Sequence, residues 1–213
     1  MNTNEKFVIA INRELGSGGR TVGTKLSEML NVPFYDKALI QALEEKYHLS
    51  ADEIEKMKAR KKSWWDDFDI LTRPFVDYTQ AEYLMRTIKA EVTATPESVY
   101  LAEKEILLGI ADTGSCIIAG RTAFFVLKDR PNLLRVLIQA PLEHRIGRVM
   151  QKQNLRREEA IKLINKVDEM RETYVTRYTG TSRYDTRNYD LVINMEGHSE
   201  ESAADLILQY IKG

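Results

Sequence analysis

The chain has 213 residues, room for one α/β domain with an insertion or for two small domains. Its 43% of apolar and 30% of charged residues suit a buried core under a polar surface. A net charge of −1 lacks the basic excess of a general nucleic-acid surface, no apolar run reaches the roughly 18 residues of a membrane span, and the lone Cys116 excludes an internal disulfide framework. The polar first residues are unlike a signal peptide, so a cytoplasmic protein without membrane or nucleic-acid partners is expected.

In chain order, the first apolar run, Phe7-Val8-Ile9-Ala10-Ile11, predicts a buried strand over 7–11. A glycine-rich turn and an amphipathic helix over 20–30 follow, and "VPFYD" at 32–36 predicts a weaker strand. Helical patterns then cover 37–47, 50–62, 80–94 and 97–112. The stretch Ser50 to Glu53 reads as a capping box, and Pro96 as a helix start, where its missing N–H costs nothing. Within "RKKSWWDDFD" (60–69), Trp64 and Trp65 suit packing on the core or on a partner subunit, so a homodimer is one expectation for this segment. A substrate lid is the alternative. Asp66, Asp67 and Asp69 would repel a nucleic-acid backbone.

Three further apolar runs, 116–120, 133–140 and 189–195, alternate with helical patterns over 141–153, 156–178 and 199–212. Short continuous apolar runs separated by helices predict a parallel sheet of about five strands covered on both faces. The expected organisation is a single domain with a helical insertion over 48–112, serving an acceptor site, a lid or dimerisation. Cys116, inside "CIIAG", reads as a buried strand residue rather than a nucleophile.

The segment joining the first strand and helix, "INRELGSGGRTVG" (11–23), carries most of the chemistry. Gly16, Gly18 and Gly19 permit positive φ and let backbone N–H groups face an anion, and the following helix presents the positive end of its dipole. A standard phosphate loop reads G-x-x-x-x-G-K-[ST]. Here Gly18 is followed by Gly19 rather than lysine, and the cation, Arg20, arrives one position late. Arg20 turns about 100° further round the helix than the missing lysine, yet its long forked side chain suits phosphate. The alternative is a tight strand-to-helix turn that holds no ligand.

Taken together, four stretches resemble the cytidylate kinase-like family of P-loop nucleoside-monophosphate kinases. They are "NRELGSGGRTVGTKLSEMLNVPFYDKALI" (12–40), "CIIAGRTAFFVLKDRPNLLRVLIQAPLEHRIGRV" (116–149), "VDEMRETYVTRYTG" (167–180) and "NYDLVINMEGHSEESAADLI" (188–207). The resemblance implies a P-loop NTPase-like α/β fold, ATP and Mg²⁺ as cofactors, and a nucleotide or similar small molecule as phosphate acceptor. It places Gly16, Ser17, Gly18, Gly19, Arg20 and Thr21 on the donor's phosphates, with Thr21 the metal contact. It puts Asp36 and Arg121 in the acceptor site, and Asp168, Arg171 and Arg177 on the lid that closes over the transferred group. Two acceptor-site positions depart from the family pattern: Lys37 stands where it has serine, and Thr122 where it has aspartate.

Physical chemistry favours the arginines independently. Phosphoryl transfer needs two reactants held in line and cations against the equatorial oxygens, with little covalent help. Arg121 follows a strand-end glycine at the sheet edge where open α/β sheets bind ligands. Arg171 and Arg177 lie on a helix whose other face is apolar. Arg183 and Arg187 fall in a polar loop beside the lid, read equally as a ligand-ordered loop or plain surface. His48, His144 and His198 lack metal-ligand spacing, and "EHR" (143–145) reads as an exposed helical face. The first functional expectation is therefore an ATP- and Mg²⁺-dependent phosphotransferase with Arg20, Arg171 and Arg177 as catalytic cations. A nucleotide-binding protein with weak or no kinase activity, for want of the loop lysine, is the second. An interaction protein built on the same fold is the third.

Overall fold

The computed structural model describes residues 1–36, 96–120 and 122–212. Five parallel strands form one sheet: β1 (Val8–Arg13), β2 (Phe34–Asp36), β3 (Cys116–Ala119), β4 (Leu133–Gln139) and β5 (Leu191–Asn194), in spatial order β2-β3-β1-β4-β5. The helices are α1 (Gly19–Leu30), α2 (Pro96–Thr113), α3 (Ala123–Val126), α4 (Leu142–Gln153), α5 (Arg157–Thr179) and α6 (Glu200–Lys212). This is the five-stranded parallel sheet expected from the apolar runs, with helices on both faces. The helical patterns at 37–47, 50–62 and 80–94, with Trp64, Trp65, Lys37, His48 and Arg121, lie outside the described residues.

Alternation along β1 explains the two-sided core. Val8 and Ala10 face one layer with Ile106, Leu107 and Ile110 of α2, Phe124 of α3 and Val175 of α5. Ile9 and Ile11 face the opposite layer with Val22 and Leu26 of α1 and with Ala203, Ala204 and Ile207 of α6. Burying an isoleucine stabilises by about 1.5–3 kcal/mol, so Ile9 and Ile11 together contribute roughly 3–6 kcal/mol. A third, smaller cluster (Ile146, Val149, Ala160, Ile164) fixes α4 against α5.

Two observations extend the sequence reading. Ala102, Ile106, Leu107, Ile110 and Ala111 make a buried stripe at helical spacing, so residues 96–112 belong to the sheet's own cover. The rest of 48–112 is outside the described residues. The first strand also runs two residues beyond its apolar part, because β4 continues beside it and pairs Arg13 with Ile138. Cys116 is buried in β3, and burial pushes its thiol up to about 12, so it is no thiolate at neutral pH. Among the described residues, no helix is long and apolar enough to cross a membrane.

Sheet order positions the site. The chain leaves β1 towards β2 and β3 on one side, and β4 returns on the other. The carboxyl end of β1 is therefore the point where successive crossovers diverge and open a crevice.

Candidate functional site

The glycine segment fills that crevice. Gly16 and Gly18 have φ of 83° and 84°, a left-handed conformation that suits glycine. Ser17 donates its hydroxyl to the Glu14 carbonyl at 3.0 Å and is fully buried, so it ties the turn together from inside. Gly18 is the N-cap of α1 and offers no side-chain cap, and the first intrahelical bond is Val22 N–H to Gly18 carbonyl at 3.1 Å. The opening N–H groups of α1 thus lack partners within the helix, at the positive end of its dipole. This donor set fits a phosphate chain.

Around the turn the structure gathers arginines from four elements and a loop. Arg13 stands at the end of β1 and is half-buried. Arg171 of α5 donates Nη1 to the Arg13 carbonyl at 3.2 Å, and Arg183, from the loop after α5, donates Nη2 to the same carbonyl. Arg20 pairs with the buried Asp36 at 3.1 Å, joining the start of α1 to the end of β2. Arg148 of α4 donates to Thr21 Oγ1 at 3.1 Å and pairs with Glu200. Burial, then the charge of Arg171, with further pressure from Arg183 and Arg20, pulls Arg13 down to about 9, against the opposing pull of Asp36. Burial and the Arg183 charge likewise lower Arg171, while Asp168 acts the other way. At about 9, Arg13 remains a cation at neutral pH.

Asp168 is the principal counter-charge. One carboxylate oxygen accepts from the Leu15 N–H at 3.1 Å, and the other from Arg145 Nη1 at 2.6 Å. The first oxygen also lies 3.6 Å from Arg171 and 3.7 Å from Arg183. One side chain therefore holds the glycine turn, α4, α5 and the following loop together. Arg183 is 0% exposed, and its Nε and Nη1 have no hydrogen-bond partner. Its place is fixed by Tyr189, whose hydroxyl donates to the Arg183 carbonyl at 2.7 Å and accepts from Asn12 at 2.6 Å.

The end of β3 is framed by another buried carboxylate. Glu103 of α2 accepts from the Thr122 hydroxyl at 3.2 Å and from the Tyr174 hydroxyl at 2.7 Å. It thus clamps the turn after β3 to α5. Gly120 and Thr122 flank Arg121, itself outside the described residues. Thr122, at the position where the family pattern has aspartate, is fully buried by this clamp.

Of the residues singled out from sequence, Gly16, Gly18, Gly19, Arg20, Thr21, Asp36, Asp168 and Arg171 are brought to one crevice. Arg177 is not with them: it is exposed and pairs with Glu97 of α2. Six residues beyond Arg171 is about 240° of helical rotation, which turns it away. Sequence reading missed Arg13, Arg145 and Arg148. It also left open the placement of Arg183, which proves to be core. Arg187 is a surface residue paired with Asp185 at 2.7 Å. Glu143 and His144 are exposed as expected, but Arg145 of the same tripeptide turns inward. Among the described residues, no three His, Cys, Asp or Glu side chains form a metal site.

Comparison with known proteins agrees with this architecture. The sequence profile of the cytidylate kinase-like family matches residues 8–197. An uncharacterized protein from Eubacterium ventriosum is 25% identical with a TM-score of 0.69, over 98% of this chain and 99% of its own. Shikimate kinase from Bacteroides thetaiotaomicron is 14% identical with a TM-score of 0.52, over 97% and 99%. A sugar kinase from a Janibacter species is 16% identical with a TM-score of 0.50, over 97% and 95%. No curated protein sequence matches the chain.

Proposed function

The chain belongs to the cytidylate kinase-like family, and from that premise we propose that it is an ATP-dependent phosphotransferase acting on a nucleotide or a similar small anionic acceptor. The observation that carries this reading is the convergence of Arg171 and Arg183 on Arg13 at the carboxyl end of β1, with the Arg13 stem against Gly19 at an uncapped helix N-terminus. Such a concentration of positive charge, only partly balanced by Asp168 and Asp36, is suited to a polyanion. Phosphoryl transfer presents that polyanion twice, as donor and as acceptor.

In this reading the N–H groups of Gly16 to Thr21 cradle the donor's phosphates, and Arg20 contributes a cation from the start of α1. Asp36 and Arg121 face the acceptor, and Arg171 lies against the group in transit. Arg177 would join the site only by leaving Glu97. Mg²⁺, if bound with the nucleotide, would supply charge that neutralises its phosphates. Thr21 is its nearest expected protein contact, although the Thr21 hydroxyl now accepts from Arg148.

Turnover of γ-labelled ATP against a panel of nucleoside monophosphates and small phosphorylated or hydroxylated acceptors tests the reading. Transfer to one acceptor class above the rate of hydrolysis is the expected result. Arg121→Ala should then raise the KM of that acceptor far more than that of ATP. If the protein binds ATP and transfers its phosphoryl group to none of the panel, it is a nucleotide-binding protein and the kinase reading is wrong.

A further inference from the structure

A cation is missing from the loop position that usually supplies lysine, and the geometry shows what fills its place. An ideal Cβ built on Gly19 would lie 2.6 Å from Arg13 Cβ, 3.2 Å from Arg13 Cγ and 3.3 Å from Ile138 Cβ. The space into which a side chain at 19 would grow is thus taken by the stem of Arg13. From there the guanidinium crosses to the end of β3. A Cβ on Gly120, at φ 87°, would fall on Arg13 Nη1. Arg13 therefore spans the crevice from the phosphate loop to the residue before Arg121. Among the described residues, its guanidinium makes no hydrogen bond and no ion pair within 4 Å, although the charge of Asp36 acts on it; its backbone N–H and carbonyl are engaged. Arg171 and Arg183, both bonded to that carbonyl, fix the strand end from which it extends.

We propose that Arg13, carried on β1 rather than on the loop, is the cation that contacts the donor's γ-phosphoryl group, in the role the loop lysine has in standard phosphate loops. The proposal rests on the kinase reading above and adds to it a residue and a direction of approach. For a phosphate acceptor, one of its anionic oxygens bonds to the γ-phosphorus as the bond from that phosphorus to the β,γ-bridging oxygen breaks. The bridging oxygen keeps the electron pair and leaves as part of ADP, and no proton moves. Arg13 makes and breaks none of these bonds. Its forked N–H groups lie where donor and acceptor meet and offset charge on the equatorial oxygens. Gly19 and Gly120 are then the two places where the backbone yields room, one for the stem and the other for the head.

The test is equilibrium binding by titration calorimetry of the full chain with two probes, ADP and the non-hydrolysable β,γ-imido analogue of ATP, each with Mg²⁺. Arg13→Met keeps much of the stem and removes the charge. Loss of a charge-assisted contact weakens binding by about 10- to 150-fold. That loss is expected for the ATP analogue, with ADP changed by less than about threefold, since the contact is to the group ADP lacks. Arg13→Lys should recover most of the difference. A companion pair guards against misfolding: Arg13→Gly removes the stem, and Arg13→Gly with Gly19→Lys returns a cation to the common position. The double variant should bind the analogue more tightly than Arg13→Gly alone. Equal weakening of both probes by Arg13→Met, or none, overturns the assignment while leaving the kinase reading in place. A wild-type protein that binds neither probe overturns both.

Discussion

Asp168→Asn is the substitution that most directly probes how the site is held together. The carboxylate is 11% exposed and accepts from Leu15 N–H and Arg145 Nη1, with Arg171 and Arg183 within 3.7 Å. An asparagine has one acceptor oxygen and one donor nitrogen. Whichever way the amide is turned, a donor meets either the Leu15 N–H or the Arg145 guanidinium. Losing the charged bond costs about 1.5–3 kcal/mol. The larger effect is on Arg183, which is fully buried with two unpartnered nitrogens and would lose its nearest counter-charge. Breaking a buried pair from one side costs about 3–5 kcal/mol in total. For a chain of this length, 1 kcal/mol moves Tm by about 2–4 °C, so a fall of roughly 6–20 °C is expected. Urea denaturation of the ligand-free protein would measure the free energy, with an unchanged m-value required for the comparison. In a double-mutant cycle with Arg183→Met, the two changes should couple by about 0.5–3 kcal/mol. A loss under about 1 kcal/mol with no coupling would refute the view of Asp168 as the common counter-charge.

Two further expectations concern neighbouring ion pairs. Arg20→Ala should weaken ADP and the ATP analogue alike, by about 10- to 150-fold, because Arg20 stands at the start of α1 rather than where the γ-phosphoryl lies. Since its side chain is 42% exposed, loss of the Asp36 pair should cost ligand-free stability no more than about 1 kcal/mol. Binding of both probes at wild-type strength would remove Arg20 from the donor site. Asp190 accepts from the Arg135 side chain at 2.7 and 3.1 Å and from its N–H at 2.8 Å, clipping the start of β5 to β4. Burial pushes the Asp190 carboxyl up, but the Arg135 bonds outweigh it and hold the net value below the usual range. A carboxylate lowered by folding stabilises above its unfolded value of about 3.9 and loses that contribution as pH falls through the folded value. Asp190→Asn should therefore cost about 1 kcal/mol at pH 7, after allowance for solvent screening, and much less at pH 3. Equal differences in urea midpoint at the two pH values would contradict this linkage.

The sheet was legible in sequence for a physical reason. A parallel strand covered on both faces needs apolar residues at nearly every position, and "CIIA" or the "VLI" of β4 reads as such without knowledge of its neighbours. Gly16 to Thr21 was legible because a strand, a glycine turn and a helix in that order are local features. The site's other cations were not. Asn12 and Arg13 look like the end of a strand, yet pairing of Arg13 with Ile138 carries the strand onward into the crevice. Arg183 sits in a polar loop, and only Asn12 and Tyr189, far away in sequence, make it a core residue. Arg145 and Arg148 did leave a signal: three residues apart, they form a basic stripe at the start of the helix that follows β4.

The position of β1 also governs how the molecule must be made. It is the first strand in the chain and the middle strand of the sheet, with Val8 opposite both Cys116 and Leu133. Each partner is more than 100 residues downstream, so its apolar faces wait for most of the chain before they are covered. Closure over such separations slows folding and prolongs exposure of an aggregation-prone segment. The crevice, assembled from the ends of β1, β3 and β4, exists only after that closure. A ligand held there therefore cannot template the early stages. It would act afterwards, by binding the native state alone and drawing the equilibrium towards it, by RT ln(1 + [L]/Kd).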